Sequence, residues 1–306
     1  FTSNPITEGA IHSATGDIAL SNNIFNVDDA VKGRNFTEIQ KLIDAANEGD
    51  EITIDGSYAG FGIPIRITKS LTLIGENNAT LDAKNLSKIF YITADKVEIK
   101  NIHFTNGYSQ NGGAVYFNKT GIVSNCTFTN NTANEDGGAL YFNCSGTVEN
   151  CNFTNNKATG DYACGGAVCF YDEGSVSNCN FTDNTADYAG GAVCFLNGTV
   201  ANCNFTGNTA TRYGSGAVYF LDQGTVTNCN FTNNTASYGG AIIFNGESNV
   251  TNCNFTGNTA SRDGGAVSLN DGGEVIKCNF IDNIASRGSA IYVIGFDERS
   301  YILPIS

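Results

Sequence analysis

Asn228-Cys229-Asn230-Phe231-Thr232-Asn233-Asn234-Thr235-Ala236-Ser237-Tyr238-Gly239-Gly240-Ala241-Ile242-Ile243-Phe244 carries the two signatures from which the architecture is read. The first is Asn-Cys-x-Phe-x-x-Asn and the second is Gly-Gly-Ala followed by large apolar residues. Gly-Gly-Ala also ends at Ala114, Ala139, Ala167, Ala192 and Ala266, while Ser215-Gly216-Ala217 and Gly288-Ser289-Ala290 hold the same place with one change each. Successive alanines lie 25, 28, 25, 25, 24, 25 and 24 residues apart. The Asn-Cys motif recurs in phase at 125–131, 150–156, 178–184, 202–208 and 252–258, and once with Lys277 in its first position. A fixed period of this size marks a stacked array in which each unit buries its apolar face against its neighbours.

Inside a repeat the apolar period is two, so the elements are strands. One inward column runs Val115, Leu140, Val168, Val193, Val218, Ile242, Val267, Ile291, and two residues on another runs Phe117, Phe142, Phe170, Phe195, Phe220, Phe244, Leu269, Val293. A second strand carries Val123, Val148, Val176, Val200, Val226, Val250 and Val275. Five residues separate each of these from Phe128, Phe153, Phe181, Phe205, Phe231, Phe255 and Phe280, and that odd interval requires a bend. The Asn column lies at the bend, where Asn tolerates left-handed backbone and stacked amides are expected to bond from rung to rung. The Asn three residues after each Phe is expected to make a second corner. One repeat is then one turn of an all-β parallel β-helix.

The period persists upstream where the motifs fade. Ile89-Phe90-Tyr91 aligns with Ala114-Val115-Tyr116, and Ile63-Pro64-Ile65 is placed one turn earlier; Leu71-Thr72-Leu73 and Val97-Glu98-Ile99 echo the Val strand. The total is about ten rungs, a rod of about 48 Å at ~4.8 Å per strand. Thr37-Glu38-Ile39-Gln40 reads as a capping box opening a helix over 37–48, with Phe36, Ile39, Leu42, Ile43 and Ala46 on its apolar face. Such a helix closes the open first rung. The expected divisions are an extension over 1–35, a capping helix over 36–50, the β-helix over 51–294 and a tail over 295–306.

The paired Gly-Gly-Ala-[Val/Ile/Leu] and Phe-x-x-Asn motifs resemble the repeats of the polymorphic membrane proteins, a family of bacterial autotransporter adhesins. The opening Phe36-Thr37-Glu38-Ile39-Gln40 through Gly49-Asp50, with Ile52 and Ile54 and then the Cys-bearing repeats, is similar to adhesin-like surface proteins of methanogenic archaea, over roughly 36–294. The resemblance implies a surface-exposed right-handed β-helix and names no ligand. The C-terminal barrel of an autotransporter is not expected in this chain, nor is an anchor after Ile294.

A net charge of −14 would repel nucleic acid, and no apolar run approaches the ~18 residues of a membrane span. The chain starts at Phe1, as expected after removal of a preceding segment. The same fold houses pectin lyases and polysaccharide hydrolases, so catalysis is judged from carboxylates stacked on neighbouring rungs. Asp136, Asp187 and Asp263 precede Gly-Gly-Ala, but the turns between them place Cys164, Gly214 and Gly239 there; His12 and His103 have no ligand spacing around them. No catalytic residue, cofactor or metal is expected.

The 11 cysteines divide three ways. Cys126, Cys151, Cys179, Cys203, Cys229, Cys253 and Cys278 form an inward column and are expected to be inert core thiols. Cys169 and Cys194 share an outward column with tyrosines. Cys144 and Cys164 fall in turns and are the better candidates for disulfides.

Sequons offer glycosylation candidates at Asn35, Asn78, Asn85, Asn118, Asn152, Asn180, Asn197, Asn204, Asn230, Asn233, Asn249 and Asn254, five of them in a repeated Asn-Phe-Thr whose Asn and Thr face out. Tyr108, Tyr162, Tyr188, Tyr213 and Tyr238 precede Gly-Gly-Ala and are expected to form an aromatic stripe suited to glycans. Ala114 and its equivalents, with Tyr116, Tyr141, Tyr219 and Tyr292, make the outer side of the Ala strand apolar too, so a cover or an assembly partner is expected there. Residues 1–35 carry Ile6, Ile11, Ile18, Leu20, Ile24 and Phe25, which suit a donor strand added to a second copy or a cover on the chain's own face. Three functions fit such an extracellular rod: an adhesin for cell-surface or host glycans and proteins, a subunit of a head-to-tail fimbria-like filament, and a polysaccharide-active enzyme.

Overall fold

The structure, a computed structural model, describes residues 34–294. The helix is Phe36–Ala45, here α1. Its capping box starts two residues before the expected one: the Thr37 amide donates to the Asn35 side chain at 2.9 Å, and the Asn35 amide to Glu38 Oε1 at 3.2 Å. Capping at Asn35 places Phe36 inside the first turn, where its ring is buried. Leu42, expected on the buried face, is 48% exposed; Phe36, Ile39 and Ile43 are buried there, with Ala46 packed beside them. The helix ends at Ala45 rather than 48: Ala46 turns extended, and Lys69 Nζ takes the carbonyls of Ile43, Asp44 and Ala46 left at that end, at 3.3, 2.9 and 2.6 Å. Gln40 exchanges bonds with the backbone of Arg66, 2.7 Å from its N–H and 3.2 Å to its carbonyl, and so fastens α1 to the first rung.

From there the chain coils into about ten turns of a right-handed parallel β-helix. Face A stacks Ile65–Ile67, Phe90–Ile92, Val115–Phe117 and Leu140–Phe142 in parallel register, and continues to Ile291–Val293. Face B carries the Val column, for example Gly146–Glu149 on Gly121–Ser124. Face C carries the Asn-Phe-Thr strands, for example Asn204–Thr206 on Asn230–Thr232. A fourth wall is a separate sheet of seven short strands that begins at Tyr108–Ser109 and ends at Thr259–Asp263. At the upstream end Ile65, not Pro64, occupies the Phe90 position, so the spacing is 25 rather than the expected 26 residues and Ile63 is left 75% exposed.

The corner between faces B and C is made as expected: Asn125, Asn150, Asn178, Asn202, Asn228 and Asn252 have φ of 54–55°. The second corner is displaced by one residue. Asn130, Asn155, Asp183, Gly207, Asn233 and Gly257 take the left-handed conformation, and the following Asn131, Asn156, Asn184, Asn208, Asn234 and Asn258 turn inward and are fully buried. Each buried amide is satisfied by the next rung. Asn208 Nδ2 donates to Phe181 O and Asn234 Oδ1, both at 3.0 Å, while its own Oδ1 accepts the N–H and Nδ2 of Asn184. The strong amide ladder therefore sits at this corner; at the first, amide contacts are sparse, as in Asn252 to Asn228 at 3.4 Å.

Two columns of Phe fill the bore, with successive ring centroids 4.5–5.0 Å apart, close to the strand spacing. Each buried ring contributes about 1.5–3 kcal/mol by burial alone. The Gly-Gly-Ala alanines join this core instead of facing out, because Ala114 N–H and Val115 N–H both donate to Ala139 O at 2.9 Å and the doubled bond resets the alternation. Gly112 ahead of them needs a φ of +61°, and a Cβ on Gly113 would lie 2.1 Å from Gly138 O, so each glycine of the pair answers a different demand.

Candidate functional site

The outer column of face A runs Tyr91, Tyr116, Tyr141, Cys169, Cys194, Tyr219, Ile243. Tyr91, Tyr116 and Tyr141 stack at 5.4 and 5.2 Å. What covers the middle of this column is the chain's own turns: Ala189, Cys164, Tyr188 and Tyr238 pack on Tyr141, Cys169, Cys194, Tyr219 and Ile243 as one apolar cluster. On this face a cover or an assembly partner is expected; over Tyr141 and Tyr219, each only 7% exposed, the chain's own turns are that cover, and these two are withdrawn from an assembly face. Tyr292 lies on the last described rung with the Arg287 guanidinium 5.0 Å over its ring.

The turn tyrosines do form a stripe, over four rungs rather than five positions. Tyr162, Tyr188, Tyr213 and Tyr238 follow one another at 5.6, 5.3 and 5.0 Å, and Arg262 extends the line by donating to Tyr238 Oη at 2.6 Å. Tyr162 is 79% exposed. Tyr108 stands apart, its hydroxyl accepting from Asn134 at 2.9 Å. On the opposite flank, face B holds a trough of about 550 Å³ lined by Lys96, Glu98, Ser145, Thr147, Glu173 and Ser175 among others. Sequence reasoning missed it, although the short hydroxyl side chains in the outward column beside each Val were its visible sign.

The three carboxylates near Gly-Gly-Ala have separate structural tasks. Asp136 accepts the Cys164 N–H at 2.8 Å and is raised by burial, Asp187 accepts the Gly160 N–H at 3.2 Å, and Asp263 is gripped by Arg287 at 2.6 and 2.7 Å. Among the described residues no three His, Cys, Asp or Glu side chains are grouped to hold a metal.

All 11 cysteines are free. Cys144 and Cys164, favoured for bridges, point their sulfurs at the carbonyls of Asn118 and Tyr162 at 3.6 and 3.4 Å. The inward column has a role that sequence did not reveal. The sulfurs of Cys151, Cys179, Cys203, Cys229 and Cys253 each accept the N–H of the preceding rung's cysteine, as in Cys203 N–H to Cys229 Sγ at 3.4 Å, and give their protons to nearby carbonyls, as in Cys229 Sγ to Thr227 O at 3.1 Å; Cys126 Sγ accepts from the Ile102 N–H instead. The thiol thus serves a backbone donor that the corner leaves without a strand partner. The preceding sulfur, with burial behind it, pushes Cys203, Cys229 and Cys253 up to about 12.

Among the sequons, Asn35 is the helix cap, Asn78, Asn85 and Asn233 are exposed left-handed turn residues, and Asn249 is exposed on face B. Asn118 accepts from Asn143 at 3.1 Å and Asn197 from the Gln223 N–H at 3.0 Å. Asn152, Asn180, Asn204, Asn230 and Asn254 line up exposed on face C. The donor-strand candidates Ile6, Ile11, Ile18, Leu20, Ile24 and Phe25, with His12 and the 295–306 tail, lie outside the described residues.

With this geometry in place, comparison with known proteins gives two matches. The right-handed β-helix region family matches residues 42–210, and the Chlamydia polymorphic membrane protein repeat matches 228–244 and 252–270. No curated protein and no solved structure matches the chain. The polymorphic membrane protein repeat family is surface-exposed and non-enzymatic, whereas β-helix folds at large include some enzymes. No helix among the described residues is long and apolar enough to cross a membrane.

Proposed function

The chain belongs to the right-handed β-helix family, and on that premise we propose that it is an extracellular, non-catalytic adhesin of a cell surface, a stiff rod that binds glycans or proteins along its flanks. The observation that carries the reading is the run of polymorphic membrane protein repeats in a β-helix whose flanks present a tyrosine stripe, exposed at Tyr162 and Tyr213, and a polar trough. Flat aromatic faces and short hydroxyls suit sugar rings, and neither needs a reactive group. The opening at 36–54 and the Cys-bearing repeats favour an adhesin-like surface protein of methanogenic archaea, and the exposed sequons favour a glycoprotein. Nucleic acid is not among the partners of a chain at −14. Immobilised protein tested against a glycan array, with Tyr162→Ala and Tyr213→Ala alongside, checks the reading: specific retention that weakens in the variants supports it, and no retention on any glycan or host protein overturns it.

A second part of the proposal is head-to-tail association of copies into a fimbria-like filament. It rests on the last described rung, where, among the described residues, Ile291–Val293 pairs with one neighbour only and Ile281, Ile284 and Ile294 stand exposed. An open strand edge with apolar residues beside it is a site for a further strand, and heterologous end contacts do not close into rings. Deleting residues 1–25 should leave folded monomers; truncated protein that still forms fibres contradicts the donor role of that segment.

A further inference from the structure

Lys88 is an amine held mostly out of water. Its Nζ lies 4.5 Å from the centre of the Tyr116 ring and 5.7 Å from that of Tyr91, and its hydrogen bond goes to Asn111 O at 2.9 Å. An ammonium has three donors, so donors remain for something else. Arg66, exposed, stands over the same Tyr91 ring at 5.4 Å. Among the described residues neither cation has a carboxylate in ion-pair reach, in a chain with 30 acidic residues. Burial alone draws Lys88 down to about 8, with no neighbouring charge acting on it.

Position explains why this end of the column stays uncovered among the described residues. The fourth wall starts at Tyr108–Ser109, so the rungs of Arg66 and Tyr91 precede it, whereas Tyr141 further along is covered. Two cations beside one half-exposed tyrosine stack, both without counter-charge among the described residues, form a receptor for an anion with an apolar body. A lysine buried at a cost to the fold is an expected mark of such a site.

We propose that Arg66, Lys88 and the Tyr91–Tyr116 stack bind a carboxylated sugar, its carboxylate on the two cations and its ring along the outward edges of the stacked tyrosines. The inference rests on the adhesin reading and names the ligand class for one of its surfaces. The full chain is titrated calorimetrically with 3′-sialyllactose and a tetragalacturonate, with lactose as the neutral probe and inorganic phosphate as the free anion. A carboxylated probe binds and lactose does not. Arg66→Gln, Lys88→Gln and Tyr91→Ala each weaken binding by about tenfold or more, the scale of one charge-assisted contact, while Lys157→Gln, at an exposed cation on the fourth wall, leaves it unchanged. Equal binding of lactose, or of phosphate, overturns the proposal, as does unchanged binding by folded variants. Arg66→Gln, exposed, decides the matter if Lys88→Gln does not fold. A chain that adheres to glycan surfaces while these variants match the parent loses this site and keeps the adhesin function; a chain that adheres to nothing loses the adhesin function itself.

Discussion

Asn180 donates its side-chain Nδ2 to Oδ1 of Asn152 at 2.9 Å, and Asn204, Asn230, Asn254 and Asn279 repeat that bond rung by rung at 2.8–2.9 Å. The nitrogen engaged is the one an N-linked glycan would occupy. Asn152 begins the line and its Nδ2 donates to nothing among the described residues. Glycans on successive rungs would also have to fit ~4.8 Å apart. In a host that glycosylates the protein, glycopeptide mass spectrometry should find Asn152 the most occupied of the five Asn-Phe-Thr sequons and Asn180 to Asn254 largely bare. Uniform occupancy of the five would refute the ladder's protective role.

The buried amide column is the more consequential ladder for stability. Asn208→Ala strands the N–H and Nδ2 of Asn184 and the carbonyl of Phe181 inside the coil. The expected loss is about 2–5 kcal/mol, against well under half of that for Asn204→Ala on the wet outer ladder. Urea unfolding of the two variants beside the parent measures the difference, and equal midpoints would contradict the assignment.

Thiol chemistry should separate the cysteine classes. Column thiols are buried, and Cys203, Cys229 and Cys253 are pushed up to about 12; in Cys179 burial is outweighed by the hydrogen bonds of Cys151 and Cys203, which draw it down to about 5, so what shields the column as a whole is its burial. Iodoacetamide at pH 8 should label Cys144 and Cys164 in the native protein and the column only after denaturation. Native labelling of the column, or its failure to label when unfolded without reductant, would show it accessible or bridged.

Lys88 gives a pH signature of definite sign. Its folded pKa of about 8 lies below the ordinary 10.5, so between those values the unfolded chain binds the extra proton and stability rises with pH. Below about 8 the penalty of burying the charge is fully present. Lys88→Met should therefore raise the thermal midpoint at pH 7, with the gain shrinking as pH climbs toward 10.5. A variant less stable than the parent at pH 7 would mean that the tyrosine contacts outweigh desolvation.

Much of this architecture was legible in the residues because a solenoid writes its register into a column. Phe117, Phe142 and Phe170 announce one another, and Asn125 with Asn150 marks the corner between them. What stayed hidden depends on hydrogen bonds that parity alone does not encode. Ala114 turned inward because two amides share one carbonyl, and Asn131 turned inward because Asn130 took the left-handed corner. The cap at Asn35 was overlooked in favour of Thr37, which has the same capping-box spacing. At the candidate site, the tyrosine stripe was visible as a column, but its length and the burial of Tyr141 and Tyr219 depend on how loops of unequal size fold back. Lys88 gave no signal at all: it lies in a non-repeating turn, three residues before the tyrosine whose ring it flanks.

The most direct test of the central claim is an adhesion assay with an enzymatic readout built in. Beads coated with the full chain are applied to a carboxylated glycan layer under flow, while reducing ends released into the medium are counted. The account predicts saturable, specific retention above uncoated beads, competed by soluble protein, with no reducing ends released. Retention no better than uncoated beads, or steady release that a single Asp→Asn change abolishes, would contradict it.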